Sequence, residues 1–189
     1  MDDGKIRCEW CLGDETYTAY HDDEWGMPCF DDRKLFEMLM LEQAQAGLSW
    51  ITILRKRENY RAAYDGFDPE IIANYGPAKI EELLQNPGIV RNRLKVAASI
   101  KAARIFLDVA REHGSFSNYI WSFTDGKPVV GHYQSLKELP ASASLAEAVS
   151  RDLKKRGIGF FGPVIAYSFL QSVGVVDDHV DHCFRKNNR

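Results

Sequence analysis

Long apolar runs are missing from this chain. Its longest, such as Pro163 to Phe169, fall far short of the ~20 residues that a bilayer-crossing helix needs, which excludes a helical membrane protein. The opening Met1-Asp2-Asp3-Gly4-Lys5 lacks the apolar core of a signal peptide, so the expectation is a cytoplasmic protein. Surplus positive charge is missing too. With 24 Lys and Arg against 27 Asp and Glu, the formal net charge is −3, which excludes coating nucleic acid by bulk electrostatics and leaves any DNA binding to a local patch. Cysteine is scarce, and Cys8, Cys11, Cys29 and Cys183 are too few for a disulfide scaffold. In a reducing compartment they read as metal ligands or inert thiols. No repeat, low-complexity stretch, flexible linker or heptad seam interrupts residues 1–189, so a single domain and a monomer are expected.

What is there is helical periodicity along nearly the whole chain. Leu35, Phe36, Leu39 and Met40 recur at helix spacing behind Asp31-Asp32, either of which suits the cap. The pattern runs on, with a weaker apolar stripe, from Trp50 to Tyr60. A short helix around Ile80, Leu83 and Leu84 ends at Asn86-Pro87-Gly88. The longer one after it is expected to bury Leu94, Ala97, Ala98, Ile105, Phe106 and Val109. Ser144-Leu145-Ala146-Glu147 reads as a capping box for a helix that stops at Gly157. Gly162-Pro163 opens another, ending near Gly174, because proline tolerates the first helical turn. Only Thr124-Asp125-Gly126-Lys127-Pro128 reads as a turn or small hairpin with room for strands. The fold class expected is all-α.

Three groups of residues could carry chemistry. Cys8 and His21 near the start, with His179 and Cys183 near the end, make a Cys2His2 set; on a helix, His179 and Cys183 would share one face. Such a set has no open position, so it would be a structural zinc clip and not a Lewis acid. Spacing alone leaves Cys11 as a rival for His21 and His182 for His179. It also leaves the plainer reading of unrelated thiols and surface histidines.

The second group is the loop Leu84-Gln85-Asn86-Pro87-Gly88-Ile89-Val90-Arg91, which looks like a helix-hairpin-helix element spanning about 77–110. Gly88 permits a tight turn. The following helix could offer its free N–H groups to a DNA phosphate, with Arg91, Arg93 and Lys95 adding charge. An ordinary helical hairpin with a solvated basic face is equally compatible.

The third is Glu42, a carboxylate that extends the stripe of Leu35 and Leu39 where an apolar side chain belongs. Buried without a partner it is costly, so it should meet a donor or await one from a ligand. Trp10, Tyr17, Tyr20, Trp25 and Trp50 supply rings around it, and Tyr17 and Tyr20 would share a helix face. A carboxylate among rings suits a flat, amino-bearing or cationic guest such as an alkylated purine. A core glutamate bonded to tyrosine hydroxyls is the competing reading.

Together these features resemble a known family. Tyr20-His21-Asp22-Asp23-Glu24-Trp25-Gly26, Leu35-Phe36-Glu37-Met38, Leu41-Glu42, Gln45-Ala46-Gly47-Leu48-Ser49-Trp50, Lys56-Arg57-Glu58-Asn59-Tyr60-Arg61, Trp121-Ser122-Phe123, Lys154-Lys155-Arg156-Gly157 and Asp178-His179-Val180 are similar to DNA-3-methyladenine glycosylase I. The resemblance implies the helix-hairpin-helix glycosylase fold, with two helical lobes facing a groove and the chain ends joined by one structural Zn2+. It places the zinc ligands on Cys8, His21, His179 and Cys183, with residues 8–21 clipped to 179–183. It places the catalytic, base-recognising carboxylate on Glu42 and the base-binding rings on Trp10, Tyr17, Tyr20 and Trp50. Gly47 and Leu48 would approach the gap left by the displaced nucleotide.

The activity implied is release of 3-methyladenine from alkylated double-stranded DNA by monofunctional hydrolysis, leaving an abasic site. Most enzymes of the wider superfamily carry a catalytic aspartate after the hairpin. Here Asp108 does not match that motif, and the family is similar in lacking the aspartate. The alternatives are a non-catalytic zinc-containing module that binds damaged DNA, and a zinc hydrolase, which would need an open coordination position.

Overall fold

A computed structural model describes residues 4–186. Among them the helices are α1 (Glu15–Asp23), α2 (Asp32–Gln45), α3 (Trp50–Leu54), α4 (Arg57–Ala63), α5 (Pro69–Ile72), α6 (Pro77–Gln85), α7 (Arg93–His113), α8 (Phe116–Ser122), α9 (Ser144–Arg156) and α10 (Pro163–Ser172). Three one-turn 3-10 helices (Glu9–Cys11, Asp65–Phe67 and Leu136–Glu138) and two short strands, β1 (Val129–Val130) and β2 (Val176–Asp177), complete the list. The protein is mostly helical, as its periodicity predicts.

The fold is built around α2. Asp31 caps it, its carboxylate accepting from the Lys34 N–H at 2.8 Å. Every residue from Leu35 to Ala44 is buried, so α2 is a core helix wrapped on all sides and not an amphipathic surface helix. It packs against α3, α7, α8 and α10. Phe36 meets Phe106 at 4.9 Å between ring centroids, and Phe106 stacks on Phe116 at 4.2 Å; each such burial contributes about 1.5–3 kcal/mol. Asp32 reaches further. Its two oxygens accept from the N–H groups of Phe116 and Ser117 at 2.9 and 2.7 Å, capping α8 from across the core.

Several local expectations shift. The Trp50–Tyr60 segment is two helices, because the chain turns at Arg55-Lys56 and sends Arg57 inward to Glu24 and Glu37. In α7, Leu94 is 70% exposed and Ala97 is exposed, while Val96, Ser99 and Ile100 are buried. Lys95 takes the inward place at that first turn, donating to the carbonyls of Ala44 and Ala46 at 2.7 Å each. The N-cap of α9 is Ala143 with no side-chain bond, so the capping box does not form. Gly157 does end the helix, at φ +108°.

No hairpin forms at Thr124–Pro128. Instead β1 pairs in parallel with β2, Val129 opposite Val176. Just before β2, Gly174 (φ +69°) lets the chain pass the Met27 backbone, which a Cβ there would meet at 2.3 Å. Nor do His179 and Cys183 sit on a helix. They follow β2 in an extended segment and a turn, with the Cys183 N–H on the Val180 carbonyl at 2.8 Å. The N-terminal segment lies alongside, Phe184 N–H donating to Ile6 O at 2.8 Å, so both ends of the chain meet.

Candidate active site

Asp14 caps α1 through the Tyr17 N–H at 3.1 Å, and the helix turns Tyr17 and Tyr20 toward α2. Trp10 joins them from the one-turn helix Glu9–Cys11, Trp50 from the start of α3, and Ser168 and Gln171 from α10. With Trp25, Glu42, Gln45 and Leu139 they enclose a cavity of about 220 Å³. Pockets for drug-sized ligands run to about 300–1,000 Å³, so this one suits a guest the size of one nucleobase. Trp10 packs edge-on against Tyr17 (5.4 Å) and Trp25 (5.1 Å), while Tyr20 and Trp50 are tilted at 5.5 Å. The Tyr17 hydroxyl accepts from the Ile51 N–H at 3.0 Å, fixing α3 against α1.

Glu42 lies at the inner end, 2% exposed. Among the described residues its Oε2 has no hydrogen-bond partner, and neither have the buried Gln45 Oε1 and Trp50 Nε1 beside it. Burial alone pushes the Glu42 carboxyl up to about 8. No tyrosine hydroxyl satisfies it, so the reading of a bonded core glutamate falls. Each orphaned polar atom costs about 1–3 kcal/mol, and three such atoms on residues that line one cavity call for a ligand that brings both donors and an acceptor.

Behind this cavity the two chain ends form a second cluster. The ligand atoms of Cys8, His21 and Cys183, all buried, lie within 4.8 Å of one another, with Cys183 Sγ 3.4 Å from His21 Nε2. His21 Nδ1 is held by Asp22 at 2.8 Å. His179, packed edge-on against His21 with centroids 5.0 Å apart, repeats the device: Asp177 holds its Nδ1 at 2.8 Å. Its buried Nε2 has no partner among the described residues. A carboxylate on the outer nitrogen of each ring is how metal-binding histidines are oriented. Cys8 donates to Cys183, which drives the Cys183 thiol down and Cys8 up. This donor set fits a soft divalent cation. Of the rivals, His182 is exposed, whereas Cys11 is buried beside His21, its thiol donating to the Cys8 carbonyl at 3.1 Å.

Comparison with known proteins identifies the family. The family model described as methyladenine glycosylase matches residues 10–186. The chain belongs to that family. It is 48% identical to DNA-3-methyladenine glycosylase 1 of Escherichia coli over 177 residues, 94% of this chain and 95% of that protein. It is 45% identical to DNA-3-methyladenine glycosylase of Haemophilus influenzae, covering 94% and 96%. A solved structure of 3-methyladenine DNA glycosylase I from Staphylococcus aureus, concerned with 3-methyladenine recognition, superimposes with a TM-score of 0.93 at 38% identity, covering 97% of both chains.

The remaining residues singled out in the sequence lie outside the cavity. Gly47 (φ +79°) and Leu48 form the α2–α3 loop at its rim, with Leu48 41% exposed. At the α6–α7 turn, Gly88 is needed for packing, since a Cβ would meet Asn59 at 3.0 Å. The N–H groups expected free at the start of α7 are not: Asn92 accepts those of Leu94 and Lys95 at 3.0 and 3.1 Å. Arg91 is exposed, and Arg93 pairs with Glu81 at 2.8 Å. Sequence reasoning missed Gln45, Leu139, Ser168 and Gln171 as cavity walls. Of these only Gln45, one helical turn beyond Glu42, could have been found from spacing.

Proposed function

We infer that this chain is a DNA-3-methyladenine glycosylase, a hydrolase that frees the methylated base from DNA in the first step of base excision repair. The relatives that match nearly its whole length carry that name. The observation that carries the reading within this chain is the unpartnered Glu42 Oε2 inside a ring-lined cavity.

The chemistry follows from the guest. Methylation at N3 makes adenine cationic within its nucleotide. When the bond from C1′ to the base breaks, the electron pair leaves with the base as neutral 3-methyladenine, and water adds to C1′ and gives up a proton. The lesion is already activated, so the enzyme needs no strong nucleophile, and hydrolysis is monofunctional. Turning a nucleotide out of the stack costs a few kcal/mol, least at a damaged pair. Glu42 accepts from the exocyclic amino group. A positive charge on the guest restores ionisation to a carboxyl that burial holds near 8. An ordinary neutral purine brings no such repayment, which is a basis for selection. Tyr20 and Trp50 stack on the base, Trp10 and Tyr17 shape the pocket, and Gly47 and Leu48 meet the gap in the duplex. The α6–α7 hairpin, with Gly88, Arg91 and Arg93, tracks the backbone of double-stranded DNA.

One zinc ion would be held by Cys8, His21, His179 and Cys183. With all four positions filled, it would supply folding energy by clipping the chain ends together and no Lewis acid to the reaction. The support is the orphaned His179 Nε2 and the two carboxylate-oriented rings. Metal analysis should find one zinc per chain. Chelation should lower the melting temperature together with activity; loss of activity in a chain of unchanged melting temperature would overturn the clip.

The decisive experiment is chromatography of bases released from methylated duplex DNA. Free 3-methyladenine is expected, with no strand cleavage. Binding to the same DNA without release would leave a damage-binding module instead.

A further inference from the structure

Phe160 is held in an unfavourable place. Its ring is 38% exposed, and its backbone sits at φ +52°, a left-handed conformation that costs energy in an aromatic residue. Both neighbours are anchored. The Gly159 carbonyl accepts from Gln43 Nε2 at 2.7 Å. Phe161 is 1% exposed in the core, and its carbonyl accepts from Ser150 Oγ at 2.7 Å. A residue between two such anchors cannot swing inward, so the strain serves to present the ring to solvent.

The place where the ring is presented gives the reason. Lys95 Nζ stands 5.9 Å from its centroid and donates to the carbonyls of Ala44 and Ala46, the residues that lead into Gly47-Leu48. One lysine thus ties the Phe160 loop to the loop that carries Leu48, itself 41% exposed. Gln45 and Trp50, on either side of Leu48 in the chain, line the cavity, as do Ser168 and Gln171 of the helix that Phe160 precedes. Lys95 thus brings two exposed apolar side chains on two different loops to the same side of the molecule, one of them, Leu48, lying in the chain between the cavity-lining Gln45 and Trp50. Apolar side chains placed beside a bent duplex enter base steps and unstack them.

We propose that Phe160 is a second wedge of this glycosylase, entering the base stack beside Leu48 and holding the step open while a nucleotide occupies the Glu42 cavity. The proposal rests on the glycosylase reading, and the test separates the two. Phe160→Gly relieves the left-handed backbone, so its melting temperature should match or exceed that of the wild type; Phe160→Trp keeps a stacking ring. Three readouts are compared: single-turnover release of 3-methyladenine from methylated duplex DNA, binding of free 3-methyladenine followed by tryptophan fluorescence, and fluorescence of 2-aminopurine placed beside a tetrahydrofuran abasic site in a duplex.

For Phe160→Gly the release rate should fall about tenfold or more, the scale of one lost base–aromatic stack. Its 2-aminopurine signal should not rise, while affinity for the free base should be unchanged. Phe160→Trp should restore both duplex readouts. A Phe160→Gly variant with the wild-type release rate and the wild-type 2-aminopurine signal would overturn the wedge alone. A wild-type enzyme that frees no base would overturn the glycosylase reading, and the wedge with it.

Discussion

Glu37 and Glu42 lie on the same helix little more than a turn apart, and both are buried, 3% and 2% exposed. Their surroundings are opposite. Glu37 receives Arg57 at 2.6 Å and Arg61 at 2.7 Å, with Lys34 at 3.8 Å, and Arg57 also grips Glu24 at 2.7 Å. Glu42 has a buried oxygen that receives nothing. Burial of a carboxylate is thus no mark of function by itself. The mark is burial without a partner, since a structural ion pair is satisfied when the chain folds and a binding group is satisfied only when the ligand arrives.

The sharpest way to separate the two is pH. The folded chain holds the Glu42 proton up to about 8, against an ordinary value of 4.5. Between those values the folded state binds more protons than the unfolded state, so stability falls as pH rises through that window and levels off above it. The full penalty is as much as about 5 kcal/mol. Glu42→Gln should remove it. Urea unfolding at pH 5.5 and pH 9 should show the variant far more stable than wild type at the higher pH and close to it at the lower. Parallel profiles would mean that Glu42 is solvated or paired after all.

At the other carboxylate the sign reverses. Arg57→Ala leaves Glu37 and Glu24 without their shared guanidinium, and breaking one side of a buried pair costs about 3–5 kcal/mol. The loss should appear as a lower urea midpoint at neutral pH. The same measurement thus has Glu42→Gln stabilising and Arg57→Ala destabilising.

Activity should then divide the pair a second time. Glu42→Ala removes a charged acceptor from the base, and hydrogen bonds to charged groups are worth about 1.5–3 kcal/mol each, so release of 3-methyladenine should fall by about 100-fold with the melting temperature held or raised. Variants at Glu37 should lose activity only as far as they lose folded protein. Equal release by Glu42→Ala and wild type would remove Glu42 from the site.

Part of the fold and of the site could be read from the residues alone. Local chemistry was legible: the Asp31 cap, the Gly157 stop and the Gly162-Pro163 start all fall within a turn of their expected places. Glu42 was legible because it breaks an apolar stripe. Glu37 lies in the same wrapped helix, and what distinguishes it, Arg57, comes from another helix after a break in the Trp50–Tyr60 segment that periodicity does not show. The Asp32 cap on α8, the Lys95 grip on the α2–α3 loop and the β1–β2 pairing are likewise contacts between remote segments. So is the approach of Leu139 to the cavity. Local propensity carries no information about such contacts.

The smallest effect should come from removing the structural cluster on both sides at once. In Glu37→Gln with Arg57→Met, the buried charge and its main partner vanish together, and side chains of similar volume remain. Arg61 and Lys34, 39% and 36% exposed, can turn to water, and Glu24 keeps Lys34 at 2.6 Å. Replacing a buried pair by groups that need no partner is often neutral, so the double variant should sit within about 1 kcal/mol of wild type, well above Arg57→Ala. The coupling between the two positions should then approach the summed losses of the single Glu37→Gln and Arg57→Met variants. Base release should persist, because nothing in the cavity around Glu42 has changed. A double variant as unstable as Arg57→Ala would mean that the cluster supports the fold by its charges themselves, and that partnering is not what separates the two glutamates.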